Sequence, residues 1–180
     1  SSTVRCCPGS KRTAEPEGQV LLYVTTDAPV GGPEGLFDRL AIDVYPPGER
    51  APCAGCTRTF AVDDGRMARG EASLGVLQQK GVSGYMVRAR LFRTAGTSSG
   101  EPRPASTIEA TAALPVVSEV GVVEVTLTLG LADLARPRGT VDAPVAVEPG
   151  RPPPGLVGAY LATHPRTCAR SPGEDEVCVP

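Results

Sequence analysis

The chain has 180 residues, a formal net charge of −2 and only 4% aromatic residues, with no tryptophan. Its small negative charge provides no overall positive field to attract DNA or RNA, and no apolar run reaches the roughly 18 residues that span a membrane. The 19 prolines and 21 glycines leave few windows for a long helix. This composition favours short strands and turns around a core of valine, leucine, isoleucine and alanine.

The N-terminal residues 1–18 are polar and follow no regular pattern, so they predict a tail tethered at Cys6 and Cys7. The chain opens at Ser1 and not at methionine, from which we expect that a leader or anchor segment has been removed. Any membrane attachment would then depend on that segment.

Seven segments alternate apolar and polar side chains with the period of two that is typical of half-buried strands. The predicted strands are residues 19–26, 37–45, 57–62, 71–78, 85–93, 107–114 and 122–129. Turn sequences separate them, among them Pro46-Pro47-Gly48 and Asp63-Asp64-Gly65.

Most of these strands are apolar on one face only, so two facing sheets are needed to bury them. We therefore expect an all-β fold, an immunoglobulin-like antiparallel sandwich of about seven strands with disulfide-tethered N- and C-terminal extensions. The residues predicted to share its core are Leu40, Ile42, Val44, Val87, Ala89, Leu91, Val123, Val125 and Leu127.

The sandwich domain is predicted to span residues 19–135, with one helical turn at 131–135. Residues 136–155 include the stretch VEPGRPPPG and predict an extended, Pro-rich connector. Residues 156–180 are too few to form a core of their own and predict an appendage. The apolar side chains of this appendage must be buried against the parent domain or against a partner, so we consider them candidate docking residues. They are Leu156, Val157, Tyr160 and Leu161.

Six cysteines lie in polar or Pro/Gly-rich stretches outside the strand-like runs. An even number in such positions is typical of exported, disulfide-stapled proteins, so we expect an oxidised protein in the periplasm, at the outer-membrane surface or secreted. Sequence alone cannot choose among the possible pairings, but the short polar stretch between Cys168 and Cys178 favours that pair. The six candidates are Cys6, Cys7, Cys53, Cys56, Cys168 and Cys178.

Three stretches of the chain resemble a set of uncharacterised envelope proteins, often predicted lipoproteins, of myxobacteria and similar high-GC bacteria. The stretches read VTTDAPV…LFDRLAIDVY, CAGCTRTFAV and VRARLFR…EPRPASTIEA…LP, and the resemblance covers residues 19–129. It implies an envelope location and a β-sandwich, and it implies no activity.

The CAGC motif, Cys53 to Cys56, has the spacing of a redox dithiol. Redox motifs of this kind lie between a strand and a helix, whose N-terminus lowers the thiol pKa. Here the motif follows PPGERAP and precedes the strand-like TRTFAV, so we favour a structural disulfide, either within the motif or to another cysteine.

Other candidate chemistry has simpler explanations. A zinc site needs four ligands, usually two close pairs, and only the CAGC motif offers such a pair.

The single histidine, His164, lies in the C-terminal tail, far along the chain from any strand serine, so we expect it to be solvated and not part of a triad. Loop aspartates that could ligate calcium are better explained as turn residues. They are Asp27, Asp38, Asp63 and Asp64. We expect no metal and no cofactor.

Arg88 and Arg90 lie on the polar face of one predicted strand and are candidate contacts for an acidic partner. The alternative is a pair with a carboxylate on a neighbouring strand, such as Glu109 or Glu124.

These observations favour a non-enzymatic envelope or cell-surface protein, a rigid scaffold whose loops bind another envelope or surface protein. The alternative is a module that binds carbohydrate or another small ligand, which the scarcity of aromatic residues disfavours. A thiol-disulfide redox protein that uses the CAGC motif comes third.

Overall fold

The computed structural model describes residues 2–5, 17–32, 35–98, 100–118, 121–160, 167–169 and 177–179. Its strands are β1 Ser2–Arg5, β2 Glu17–Thr26, β3 Arg39–Tyr45, β4 Thr57–Ala61, β5 Ser73–Gln79, β6 Met86–Phe92, β7 Thr97–Ser98, β8 Glu101–Pro102, β9 Ile108–Ala113, β10 Val122–Leu129, β11 Val145–Ala146, β12 Glu148–Pro149, β13 Thr167–Ala169 and β14 Val177–Val179. The helical segments are α1 Asp64–Ala68 and the 3₁₀ turns Thr94–Gly96, Pro104–Ser106 and Leu131–Asp133. In the part of the chain that is described, no helix is long and apolar enough to cross a membrane.

Two five-stranded sheets pack face to face as a sandwich, which confirms the all-β prediction. The first sheet has the order β1-β5-β2-β10-β12, and the second has the order β11-β9-β6-β3-β4. Each of the seven predicted segments overlaps one of the longer strands, and the remaining strands are two to four residues long. The sheets therefore hold more strands than the predicted seven.

The prediction of purely antiparallel sheets is wrong for both sheets, and the longest parallel pair lies in the first. Strands β2 and β10 run parallel over eight paired residues, Val122 opposite Gln19 through to Leu129 opposite Thr26. Strands β1 and β11 also pair in parallel with their neighbours β5 and β9. An immunoglobulin sandwich pairs its first two strands in one sheet. Here β5 separates β1 from β2 in the first sheet, and β3 lies in the other sheet, so an immunoglobulin-like strand order is not confirmed.

The core is the set of inward-facing side chains that the alternation predicted. Of the nine predicted core residues, eight are at most 3% exposed, and Val123 is half-buried against the same cluster. Alternation on β2 likewise buries Val20, Leu22 and Val24 completely. Packing between the sheets therefore rests on aliphatic side chains from both, as the aromatic-poor composition requires.

Short strands cover three of the four sheet edges. β1 covers β5, β12 covers β10, and β11 covers β9. The last two strands, at 145–146 and 148–149, lie within the range predicted as the Pro-rich connector, so this part of the connector pairs with both sheets. Strand β4 pairs with β3 on one side, and within the described residues no strand pairs with its other side.

The prediction of a simple turn at Asp63-Asp64-Gly65 is wrong, because this sequence begins helix α1. The Asp63 carboxylate accepts a hydrogen bond of 2.8 Å from the Arg66 N–H and so caps the helix. The helix buries Met67 in the core, where this side chain is 1% exposed. The sequence Asp63-Asp64-Gly65 suits a turn and a helix start alike, and burial of Met67 favours the helix.

Four of the six cysteines lie in the described residues. Cys53 and Cys56 form a disulfide within the CAGC motif. Strands β13 and β14 place the Cα atoms of Cys168 and Cys178 directly opposite each other. Opposed Cα atoms in antiparallel strands are about 4.5–5.5 Å apart, within the range a disulfide spans. Cys6 and Cys7 lie outside the described residues.

Candidate functional site

A cleft of about 570 Å³ lies where the end of β4, helix α1 and strands β2 and β5 meet. Apolar side chains of Leu21, Phe60 and Val62 line it, and the margin carries Arg66 and Arg69 after the helix cap. Arg151, from the segment that follows β12, contributes a third guanidinium. The cleft thus combines an apolar lining with exposed cationic side chains, on elements that the core holds in place.

Strand alternation explains how β2 contributes to this cleft. Val20, Leu22 and Val24 point into the core, so Leu21 and Tyr23 occupy the opposite face and line the cleft. Tyr23 is only 6% exposed, because Arg151 stacks over its ring at 5.5 Å and Gly70 lies against its edge. Gly70 has a φ of +67°, and a Cβ added there would lie 3.4 Å from the ring. The close approach and the backbone conformation both favour glycine.

Glu124 on β10 links Tyr23 to Arg151. It accepts a hydrogen bond of 3.1 Å from the Tyr23 hydroxyl and two from Arg151, at 3.1 and 2.9 Å, to the same oxygen. The Arg151 hydrogen bond is the main reason why the pKa of Glu124 lies below its usual value. Burial and the Glu124 hydrogen bond raise the pKa of the Tyr23 hydroxyl. Tyr23 is therefore a protonated hydrogen-bond donor at neutral pH.

The other two arginines also have acidic neighbours, but at different distances. Arg69 and Glu71 form two hydrogen bonds of 2.6 and 3.1 Å, which lower the pKa of the Glu71 carboxyl. Arg66 makes a longer ion pair of 3.8 Å with Asp63 and a 3.4 Å contact with the Ala61 carbonyl. All three arginine side chains are more than half exposed, at 54, 62 and 69% for Arg66, Arg69 and Arg151. Exposed pairs of this kind contribute about 0–1 kcal/mol, so a ligand carboxylate can replace the present partners at little cost.

The predicted contacts Arg88 and Arg90 do not line the cleft. They bind Asp43, whose Oδ2 accepts from Arg88 at 2.9 and 2.7 Å and from Arg90 at 3.1 Å. The expected carboxylates, Glu109 and Glu124, are not their hydrogen-bond partners, so that pairing was wrong. Strands β3 and β6 are neighbours, and their register places Asp43 directly opposite Arg88.

Asp43 is the centre of a cluster on the outer face of the second sheet. Its side chain is only 2% exposed, and its other oxygen accepts a 2.8 Å hydrogen bond from the Thr57 hydroxyl. Burial lowers the pKa of Arg88, but the hydrogen bond and charge of Asp43 outweigh burial and raise it overall. Arg90 also binds Glu101 on β8 at 2.9 Å. The cluster joins three strands of the sheet to the β7–β8 hairpin.

The candidate docking residues of the appendage contact their own domain as far as they are described. Leu156, Val157 and Tyr160 are half-buried, and Val157 packs against the core cluster. The N–H groups of residues 158 and 160 donate to the carbonyls of residues 28 and 27, at 3.2 and 3.0 Å. Leu161 and His164 lie outside the described residues.

The aspartates considered as calcium ligands anchor loops instead. Asp27 accepts from the Leu131 N–H at 2.7 Å, Asp38 from the Thr94 N–H at 2.8 Å, and Asp64 from the Val30 N–H at 3.0 Å. Asp63 caps α1. Among the described residues, no group of three or more histidine, cysteine, aspartate or glutamate side chains could hold a metal ion.

Sequence reasoning missed the cleft itself. Its residues come from four separated segments, and Arg151 lies in a stretch that was predicted to be a linker. One signal in the sequence pointed to the cleft. Tyr23 lies on the non-core face of β2, and an aromatic ring at such a position indicates that another part of the chain packs against it. Arg66 within α1 and Arg69 directly after it had no comparable signal, since the helix itself was not expected.

Comparisons of this chain with protein-family models, with curated proteins and with solved structures give no significant match.

Proposed function

We propose that this protein is a non-enzymatic interaction protein of the cell envelope or cell surface, a rigid β-sandwich scaffold that binds a partner protein. The cleft beside β4 and α1 is the contact site, and Arg66, Arg69 and Arg151 bind acidic groups of the partner. The observation that carries this proposal is the cleft, which places exposed guanidinium groups around an apolar lining. Interfaces use this combination, since arginine and aromatic side chains are enriched in binding hot spots.

The cysteine content supports the extracytoplasmic part of this proposal. The disulfide between Cys53 and Cys56 and the opposed Cα atoms of Cys168 and Cys178 fit a protein that folds where disulfides persist. The resemblance of residues 19–129 to envelope proteins points to the same compartment.

Two observations favour this proposal over the alternatives. A sugar-binding site uses an open aromatic face, whereas Arg151 and Gly70 cover the Tyr23 ring. A redox dithiol needs an accessible sulfur at a helix N-terminus. Here the motif lies between strands β3 and β4, and the next described helix, α1, begins only at Asp64, after β4.

The test is a capture experiment with oxidised, full-length chain on beads and the envelope and secreted proteins of the source cells. We expect one partner to bind the wild type and to be lost with Arg66→Glu/Arg69→Glu. The matched control is Arg103→Glu/Arg136→Glu, which reverses two exposed arginines outside the cleft lining and should keep the partner. Equal capture by all three proteins, or disulfide exchange by the wild type in an insulin-reduction assay, would overturn the proposal.

A further inference from the structure

Strand β4 offers a free edge beside the cleft. Short strands cover the other three edges of the two sheets, whereas β4 pairs only with β3 within the described residues. An uncovered edge presents unpaired N–H and C=O groups, which makes it a template for another strand. The cleft begins at the end of this strand, because Phe60 and Ala61 line it.

The backbone groups that face the free edge follow from the hydrogen bonds that flank β4. The Val44 N–H donates to the Cys56 carbonyl at 3.2 Å, and the Val62 N–H donates to the Asp38 carbonyl at 3.0 Å. The even-numbered residues around β4 therefore turn their backbone groups towards β3. Alternate residues of an antiparallel strand face opposite edges, so Thr57, Thr59 and Ala61 turn theirs outward.

Two arginines already bind part of this edge. Arg58 donates to the Thr57 carbonyl at 2.9 Å, and Arg66 contacts the Ala61 carbonyl at 3.4 Å. The N–H and C=O groups of Thr59 have no partner within the described residues. The side chains of Thr57, Thr59 and Ala61 are exposed, so another backbone can approach. The edge can thus bind a short extended segment centred on Thr59.

The charges next to this edge indicate the chemistry of such a segment. Arg66 lies at the Ala61 end of β4, and its present contacts are both longer than 3.3 Å. Arg69 lies farther along the same cleft. A segment that pairs with β4 and continues past Ala61 would bring its next side chains to these guanidinium groups. Carboxylates there would form charge-assisted hydrogen bonds, which are stronger than neutral ones.

We propose that β4 binds an extended segment of the partner protein as an added strand, and that acidic side chains of this segment bind Arg66 and Arg69. This inference rests on the proposed function and names the kind of partner segment that the cleft takes. Backbone hydrogen bonds to Thr59 supply affinity, as in other cases of strand addition, and the arginines select the acidic sequence.

The test starts from a phage-displayed library of random ten-residue peptides, selected on the oxidised full-length protein. Selected peptides are synthesised and their dissociation constants measured. We expect them to carry carboxylates next to a β-branched stretch. Each backbone nitrogen of a selected peptide is then methylated in turn. Because a strand pairs with its neighbour through every second residue, methylation at alternate positions should weaken binding of the peptide by at least about tenfold, and methylation at the positions between them should not.

The matching protein variant is Thr59→Pro, which removes the outward N–H without removing a hydrogen bond to β3. Proline is tolerated on an edge strand where its nitrogen faces solvent. We expect the peptides to lose at least about tenfold in affinity for Thr59→Pro and to keep their affinity for the control Thr59→Val. Thermal unfolding followed by circular dichroism verifies that both variants fold, and the methylated peptides test the same hydrogen bonds on the wild type.

The outcomes separate this inference from the proposed function. Peptides that are sensitive to Arg66→Glu/Arg69→Glu but tolerate Thr59→Pro and methylation would overturn strand addition and leave the cleft as the binding site. Peptides insensitive to all of these changes would overturn both. Sedimentation provides the last outcome. If the wild type forms a concentration-dependent dimer and Thr59→Pro abolishes it, a second copy of this chain occupies the edge of β4. That result would overturn the assignment to a partner protein.

Discussion

Arginine–carboxylate pairs occur in two regions of this molecule, and their surroundings differ. The Asp43 cluster on the outer face of the second sheet holds a carboxylate that is 2% exposed between Arg88 and Arg90. The cleft pairs Arg69 with Glu71 and Arg151 with Glu124, with arginine side chains that are 62 and 69% exposed. Arginine and carboxylate side chains therefore serve different purposes in the two regions. Burial makes the first set structural, and exposure leaves the second set free to exchange partners.

The largest expected effect is that of Asp43→Asn. This change keeps the shape of the side chain but leaves Arg88 and Arg90 without their shared counter-charge. Breaking a buried pair is strongly destabilising, and we expect the free energy of unfolding to fall by about 3 kcal/mol, the lower end of the usual range because Arg88 is partly exposed. Urea unfolding measures it. The matched change in the cleft, Glu71→Gln, should leave the unfolding midpoint nearly unchanged, because its ion pair with Arg69 is exposed to solvent. Equal costs would remove the distinction between the regions.

The Cys53–Cys56 disulfide connects the two regions, because it lies just before β4, which carries Thr57 to the Asp43 cluster and Phe60 to the cleft. Replacing both cysteines by alanine should lower the free energy of unfolding by roughly 2 kcal/mol, since the open loop gains conformational freedom in the unfolded chain. Urea unfolding without reductant is the measurement. An unchanged stability would mean that the hydrogen bonds of Val44 with residues 53 and 56 hold the loop without the cross-link.

The period-two pattern predicted much of this fold, but not how the strands are arranged. Alternation identified each longer strand and its buried face, because burial on one face acts on each strand separately. The parallel pairing of β2 with β10 depends on residues about a hundred positions apart, and no local pattern encodes it. The partner of Arg88 was missed for the same reason. A paired carboxylate was expected, but choosing Asp43 requires knowing that β3 lies beside β6.

The cleft was beyond local reasoning because several tertiary contacts create it. The Asp63-Asp64-Gly65 sequence fits a turn and a helix cap equally well, and the choice depends on whether Met67 reaches the core. Arg151 stacks on Tyr23 only because β12 pairs with β10 and so brings the Pro-rich segment onto the first sheet. The residue types were visible in the sequence, but their proximity was not.

A third prediction tests whether the cleft is dispensable for stability. Arg66→Glu/Arg69→Glu removes one short and one long exposed ion pair, and we expect the unfolding midpoint in urea to shift only slightly. Thermal and urea unfolding compare it with the wild type. A much larger loss would mean that the arginines hold α1 in place, and the binding experiments with this variant would then require a milder substitution such as Arg66→Gln.

The smallest expected effect is a pH dependence that arises from Glu124. Its pKa is lowered in the folded protein, chiefly by the hydrogen bonds from Arg151, so folding favours the ionised carboxylate. The resulting stabilisation is fully present above the ordinary glutamate pKa of about 4.3, and it is lost as the pH falls through the lower pKa of the folded state. We therefore expect the wild type to exceed Glu124→Gln slightly in unfolding midpoint at pH 7, and this difference to shrink as the pH is lowered below the ordinary glutamate pKa. The control is Glu148→Gln on the exposed strand β12, which measures how the unfolding midpoint changes when a surface glutamate is replaced. If the wild type and Glu124→Gln have the same unfolding midpoint at pH 7, the Arg151 contact is not maintained in solution, and the cover over Tyr23 would then be open to a ligand.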